Sequence, residues 1–187
     1  MSGYFFYNFK KIMYYTLRGF IVNNELAYKL VKNNDEIHSF YLLADKVWHE
    51  YFPCILEKEQ IDYMVEMFFS KDAMDKQINS GYEFYFVQMN NENIGFIVVH
   101  PEEEKLFLSK LYLTLENRGK GYASKMMNFV IARAKELKKK SVYLTVNKYN
   151  KHTIDVYNHC GYKTIRSEQT DIGKGYIMDD YVMELTL

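Results

Sequence analysis

Leu111-Tyr112-Leu113-Thr114-Leu115-Glu116-Asn117-Arg118-Gly119-Lys120-Gly121-Tyr122-Ala123-Ser124 is the stretch on which the reading of this chain turns. An apolar strand ends, two glycines sit in a short loop, and a helical pattern opens at Tyr122. Glycine lets a backbone turn sharply and approach a ligand closely, where any Cβ would obstruct it. A helix N-terminus presents unpaired N–H groups and positive dipole density, so such a loop suits phosphate, and Arg118, Lys120 and Lys125 add formal charge. Two standard phosphate motifs are absent. There is no GxxxxGK[ST], and no GxGxxG followed about twenty positions later by an acid. Nucleoside triphosphatases and dinucleotide dehydrogenases lose their support.

Working outward, the loop sits inside a strand–helix–strand unit. Lys105 to Thr114 is a strand, Tyr122 to Lys139 a helix with Met126, Phe129, Val130, Ala134 and Leu137 in register, and Ser141 to Val146 a strand. Such a unit needs parallel pairing and a right-handed crossover. Upstream, Leu26 to Val31 reads as a strand and Asn33-Asn34-Asp35 as a helix cap. The helix that follows carries Ile37, Phe40, Tyr41, Ala44, Val47 and Trp48 on one face. Lys58 to Phe69 is a second helix with Ile61, Met64, Val65 and Phe68 as its stripe, and Lys71 to Ile78 a third that stops at Ser80-Gly81. Glu83 to Met89 and Ile94 to His100 form a hairpin around Asn90–Asn93. Downstream, Asn150 to His159 is a helix stopped by Gly161, and Tyr162 to Arg166 and Tyr176 to Leu187 are closing strands. The expected fold is α/β of the mixed α+β kind: a central, mostly antiparallel sheet with one parallel β-α-β unit and flanking helices.

The chain has 187 residues, enough for one ordinary domain with a sizeable core, and 48% are hydrophobic. No repeat or Pro/Gly/Ser linker divides it, so residues 25–187 read as a single domain and 1–24 as an aromatic-rich N-terminal extension. The 24 basic and 24 acidic residues cancel, yet twelve bases and two acids fall between Lys105 and Lys151. That segment carries +10 and the remainder −10, which points to an anionic ligand in one place and a cationic one in another. Overall neutrality argues against nucleic acid as a partner. Cys54 and Cys160 read as reduced thiols, no window reaches the roughly 18 apolar residues of a membrane span, and a signal peptide is not expected. A cytoplasmic protein with no membrane partner follows. No HExxH or Cys/His cluster occurs, so no metal is expected.

A second element follows the crossover: Asn150-Lys151-His152-Thr153-Ile154-Asp155-Val156-Tyr157, then Gly161-Tyr162. With Arg118-Gly119-Lys120-Gly121-Tyr122-Ala123 it resembles, in that order, the GNAT superfamily of acyl-CoA-dependent N-acyltransferases, whose pattern is (Q/R)-x-x-G-x-(G/A) and then N-x-x-A-x-x-x-Y before G-(F/Y). Thr153 stands where the family usually has alanine. The resemblance covers roughly residues 26–187. Trp48-His49-Glu50-Tyr51 and Met178–Met183 look most like the bacterial spermidine/spermine-type acetyltransferases.

The resemblance implies acetyl-CoA as the cofactor. Its pyrophosphate would lie on Arg118, Gly119, Lys120, Gly121, Tyr122, Ala123 and Ser124, its pantetheine arm would pair with the backbone at Leu111 and Leu113 where the sheet splays, and Asn150 would reach the same region. It also implies a primary amine as acceptor, on a small molecule such as a polyamine and acetylated by direct attack, with Trp48, Tyr51, Glu50 and Asp179 as the substrate side of the site. Tyr157 is the expected general acid, since a phenol of pKa roughly 10 can supply a proton to a departing thiolate of pKa roughly 8.5. An amine of pKa near 10.4 is free in only about one molecule in a few thousand at pH 7. A proton must therefore leave, by water relayed to Glu50, Asp179 or Asp180, or by His49. Trp48, Tyr51 and Phe52 either wall the pocket or are simply core, and Tyr112, Phe84 and Phe86 share that ambiguity. A peptide acceptor, a non-catalytic acyl-CoA sensor and a homodimer stay open.

Overall fold

Asn33 caps the first helix as its sequence suggests: its side chain accepts the Glu36 N–H at 3.0 Å. The computed structural model describes residues 25–187, together with the backbone of Thr16–Leu17 (β1) and Phe20–Ile21 (β2), which pair antiparallel. The remainder of the expected extension lies outside the described residues. The body runs β3 (Ala27–Leu30), α1 (Asn34–Tyr51), α2 (Lys58–Phe69), α3 (Lys71–Asn79), β4 (Glu83–Met89), β5 (Glu92–Pro101), β6 (Lys105–Leu113), α4 (Tyr122–Glu136), β7 (Ser141–Asn147), α5 (Lys151–His159), β8 (Lys163–Gly173) and β9 (Tyr176–Thr186). Seven strands form one sheet in the order β3-β4-β5-β6-β7-β9-β8, antiparallel throughout except for β6 and β7, the two arms of the crossover. The mixed, mostly antiparallel α/β architecture expected from the sequence is the one observed. Among the described residues no helix is long and apolar enough to cross a membrane.

Strand alternation sorts the apolar residues into two cores. Phe84, Phe86, Phe96 and Val98 point to the layer of α1, α2 and α3, while Tyr85, Val87, Ile97 and Val99 point to α4. Phe84 and Phe86 are therefore core and not pocket wall. Phe40, fully buried on α1, packs its ring 5.0–6.1 Å from Phe69, Phe84, Phe86 and Phe96. Removing such a ring costs about 3–5 kcal/mol. The buried stripe of α2 is Ile61, Met64, Val65 and Phe69, not Phe68, which lies half-buried at the edge of a cavity.

Two boundaries differ from expectation for physical reasons. Asn90 and Asn91 both take positive φ (51° and 66°), so the hairpin turn is only two residues long and β5 begins at Glu92. β8 runs on to Gly173 because its polar stretch Ser167–Asp171 pairs with β9 while both faces remain largely exposed. That leaves no alternation to read.

β6 carries the feature that makes the site. Val98 pairs with Lys110 and Val99 with Leu108, so Ser109 is an extra residue, a β-bulge. It inverts the parity of the strand: Leu106 and Leu108 face the α4 core before it, Leu111 and Leu113 after it. Lys110 and Tyr112 are thereby turned to the face of α1 and α2. Pairing with β7 stops at Leu108–Leu144. Beyond that point Thr145–Asn147 pair only with β9, and Lys110–Leu113 only with β5.

Candidate active site

Where β6 and β7 part, a cavity of about 470 Å³ opens, walled by β6 from Leu108 to Leu113 and by Thr145–Asn147 of β7. The glycine loop, α5, the end of α1 and part of α2 close it. At one end, Gly119 and Gly121 hold left-handed backbone (φ 72° and 78°), and a Cβ at either would meet nothing within 4 Å. The glycines are thus required by conformation and leave open space above the loop. α4 begins directly after Gly121 with no side-chain cap and no acid in its first turn, so its N–H groups and dipole are unopposed. Arg118 is fixed from within: its Nε donates to the Leu113 carbonyl at 3.0 Å and its guanidinium lies 5.1 Å from the centre of the Tyr51 ring. Its buried Nη2 makes no hydrogen bond among the described residues, although Glu50 Oε2 lies at 3.6 Å.

The other end is built from side chains. Tyr157 of α5 lines the cavity, its ring 5.7 Å from that of Tyr162, and its hydroxyl makes no hydrogen bond among the described residues. Burial holds its phenol well above the ordinary range, so it stays protonated at neutral pH. Lys110 lies with its Nζ 4.6 Å from the centre of the Phe68 ring, and burial pushes it down to about 8, with Asp180 opposing that shift in part. Asp180, on β9 opposite Asn147, is 5% exposed and is the one acid lining the cavity among the described residues. Burial pushes it up to about 6, helped by Glu168 and Asp179 and opposed by Lys110 and Lys148.

The residues singled out from sequence are distributed as follows. Leu111, Leu113, Arg118, Gly119, Gly121, Ala123, Ser124, Asn150, Tyr157, Trp48 and Tyr51 all line the one cavity. Lys120 and Tyr122 belong to the loop without lining it, and the Tyr122 hydroxyl donates to Met89 Sδ at 3.0 Å. Asn150 caps α5 through Thr153 N–H and donates to the Tyr51 hydroxyl at 2.9 Å, tying α5 to α1. Trp48 and Phe52 are both core and wall: each is buried, and each borders the cavity.

Glu50, Asp179 and His49 are not brought to the acceptor end. Glu50 Oε2 accepts the Leu115 N–H at 2.8 Å beside Arg118, so it braces the entry to the glycine loop. Asp179 pairs with Lys148 at 2.5 Å. His49 bridges α1 and α2, its Nδ1 2.9 Å from the Asp45 carbonyl and its Nε2 2.7 Å from Asp62. Lys110 and Phe68 were missed as site residues. A signal for Lys110 exists in hindsight: the leucine spacing 106, 108, 111, 113 breaks parity at Ser109-Lys110.

A splayed parallel pair, a glycine loop at a bare helix N-terminus and a protonated tyrosine opposite define a site for a phosphate-bearing group donor. Residues 43–162 match the Acetyltransferase (GNAT) family, and the chain belongs to that family. Among solved structures it is similar to the PaiA N-acetyltransferase of Thermoplasma acidophilum in complex with coenzyme A. There the TM-score is 0.69 at 21% identity, over 86% of this chain and 99% of that one. It is also similar to the spermidine/spermine N-acetyltransferase SpeG of Vibrio cholerae (TM-score 0.60, 15% identity, 86% and 92% covered). Among curated proteins, the D-amino-acid N-acetyltransferase HPA3 of Saccharomyces cerevisiae is 37% identical over 62 residues. That match spans 33% of this chain and 38% of the yeast protein.

Proposed function

We propose that this chain transfers an acetyl group from acetyl-CoA to a primary amine on a small molecule, by direct attack and without an acyl-enzyme, and that residues 25–187 form the catalytic unit. The observation that carries the reading is the single cavity shared by the glycine loop, the unpaired backbone of β6 and β7, and Tyr157. The residues fit coenzyme A: two left-handed glycines under open space, an uncapped helix start, and a buried Arg118 Nη2 without a hydrogen bond. Arg118 and the backbone of Gly119–Ser124 would hold its phosphates, and the free edges at Leu111 and Leu113 its amide arm. When bound, acetyl-CoA supplies an activated thioester.

Tyr157 Oη, kept protonated by burial and without a hydrogen-bond partner among the described residues, would donate a proton to the leaving thiolate. Asp180 carries the opposite task. Its carboxylate holds the acceptor as an ammonium and draws off its proton, through water, before attack. Trp48, Tyr51 and Phe52 exclude solvent from the wall of the cavity. Relatives named for spermidine or spermine and for D-amino acids both support a small amine as acceptor. Glu50 and Asp179, expected on the substrate side, are engaged instead with the loop and with Lys148.

The test is free-thiol release from acetyl-CoA with a panel of polyamines, amino acids, aminoglycosides and peptides. Release with at least one small amine is expected. A thermal shift with acetyl-CoA but no release with any acceptor would replace the enzyme by a sensor, and no shift would remove both.

A further inference from the structure

We infer that the acceptor is a free amino acid, its carboxylate received by Lys110 and the indole N–H of Trp48 and its amine by Asp180; this rests on the acetyltransferase reading above.

Two residues lining the cavity carry groups left open: a lysine without a carboxylate partner and an indole N–H without an acceptor among the described residues. Lys110 Nζ donates to Ser109 Oγ at 3.0 Å and lies against the Phe68 ring, but among the described residues no carboxylate stands within ion-pair distance of it. Other lysines of the chain do find one: Lys46, Lys58, Lys71, Lys105, Lys140 and Lys148 each pair with an Asp or Glu. Trp48, 2% exposed, has no acceptor among the described residues for its buried Nε1. Both groups border Phe68, whose ring centroid lies 6.0 Å from that of Trp48 and 4.6 Å from Lys110 Nζ. A buried ammonium without a counter-charge and a buried N–H without an acceptor are costly, and the ligand that relieves both is an anion.

The bulge at Ser109 makes this placement deliberate in physical terms. Without the extra residue, Lys110 would share the face of Leu106 and Leu108 and point into the α4 core. With it, the lysine enters the cavity on the side of α1 and α2. At neutral pH a group titrating near 8 is still mainly cationic, so Lys110 is charged when the acceptor arrives.

Asp180 supplies the opposite sign in the same cavity. The two charges do not close on each other at ion-pair distance, so each is available to a ligand that carries both. A polyamine satisfies Asp180 but sets a second cation against Lys110 and leaves the Trp48 N–H without an acceptor. A lysine side chain within a peptide brings no carboxylate beside its amine. A free amino acid meets all three groups, and it is small enough for a cavity of about 470 Å³ that must also admit the donor's arm.

Matched pairs test this. Ornithine and lysine are compared with putrescine and cadaverine, the same amines without the carboxylate, by thiol release from acetyl-CoA. The carboxylated member should show at least about tenfold higher kcat/KM, and Lys110→Met should shrink that gap to under about threefold by raising KM more than it lowers kcat. Decarboxylated amines used equally well or better, or a gap that survives Lys110→Met, would overturn the inference. Should the methionine variant not fold, the wild-type pairs decide alone. A second readout separates this inference from the acetyltransferase reading: calorimetric binding of each pair member to protein saturated with coenzyme A. Tighter binding of the amino acid without turnover would keep the acceptor assignment and sink the transfer; thiol release with amines alone would do the reverse. Absence of both turnover and amino-acid binding overturns the inference.

Discussion

At one end of the cavity seven consecutive residues, Arg118–Ser124, offer backbone N–H groups, left-handed glycines and one guanidinium; at the other, Trp48, Phe68, Lys110, Tyr157 and Asp180 arrive from five separate elements. The loop end uses the geometry of the main chain, which recognises any phosphate of the right shape. The far end uses buried side chains whose charges are left open. A third place in the molecule shows what closing such charges looks like. Glu83 and Arg133 meet at 2.5 and 3.0 Å on the α4 side. There burial would raise the Glu83 carboxyl, but Arg133 and the Tyr85 hydroxyl outweigh it and hold it low. Asp180, buried without such a partner, is pushed the other way. Closed pairs of this kind serve the fold, and open ones are what a ligand finds.

The sharpest way to break this division is to remove the proton without disturbing the walls. Tyr157→Phe should lower kcat by about 10²-fold or more while shifting the acetyl-CoA KM by less than about threefold. Equal loss in both, measured by steady-state kinetics, would make Tyr157 a packing residue of α5.

The loop end should fail differently. Gly121→Ala forces a Cβ into left-handed backbone, at a cost of about 1–2 kcal/mol, and aims it into the open space where phosphate would sit. Acetyl-CoA affinity, read by calorimetry, should fall about tenfold. Gly175→Ala is the matched control, since φ is 81° there and a Cβ again meets nothing within 4 Å, but it lies in the β8–β9 hairpin. The control should lose similar stability and no affinity. If both variants lose affinity alike, the loop's role reduces to general stability.

The same contrast explains what the sequence made legible. The glycine loop, Asn150 and Tyr157 could be read because contiguous motifs carry them, and the β4–β5 hairpin because two apolar runs flank Asn90–Asn93; that those runs feed two separate cores could not, since Phe84–Val87 and Phe96–Val99 are apolar at every position. Lys110 could not, since its direction depends on a one-residue bulge, and a slip of one residue sends a side chain to the opposite face of a sheet. For Glu50 and Asp179 a resemblance of the surrounding stretch does not report which partner a carboxylate finds.

Asp180 tests whether open charge carries a cost. Its folded pKa of about 6 lies above the ordinary aspartate value of 3.8, so the neutral acid is favoured on folding. That contribution is complete below the unfolded value and is lost as pH rises through about 6, leaving a buried charge at neutrality. Asp180→Asn should therefore stabilise the protein at pH 7 by on the order of 2 kcal/mol, a rise of several degrees in Tm, and not at pH 3. It should also raise the acceptor KM. In the unmodified protein kcat/KM should fall about tenfold per unit below pH 6, with Lys110, Lys148, Glu168 and Asp179 the charged groups facing Asp180. No stability gain at pH 7 would mean that Asp180 is already partnered.

The smallest effect bears on which end owns Glu50. Its Oε2 accepts the Leu115 N–H at 2.8 Å and stands 3.6 Å from Arg118 Nη2, so it acts on the loop through the residue that enters it and the guanidinium that serves it. Glu50→Gln keeps the amide contact and removes the charge, which frees Arg118 from a neighbour competing with phosphate while loosening its orientation. These influences oppose each other, and the charges are partly solvated, so acetyl-CoA affinity should change by no more than about threefold in either direction. The acceptor KM should not move at all. A polyamine acceptor held by Glu50 would instead lose affinity tenfold or more on the same substitution. That result, seen in acceptor kinetics, would return Glu50 to the substrate end and break the division between the two.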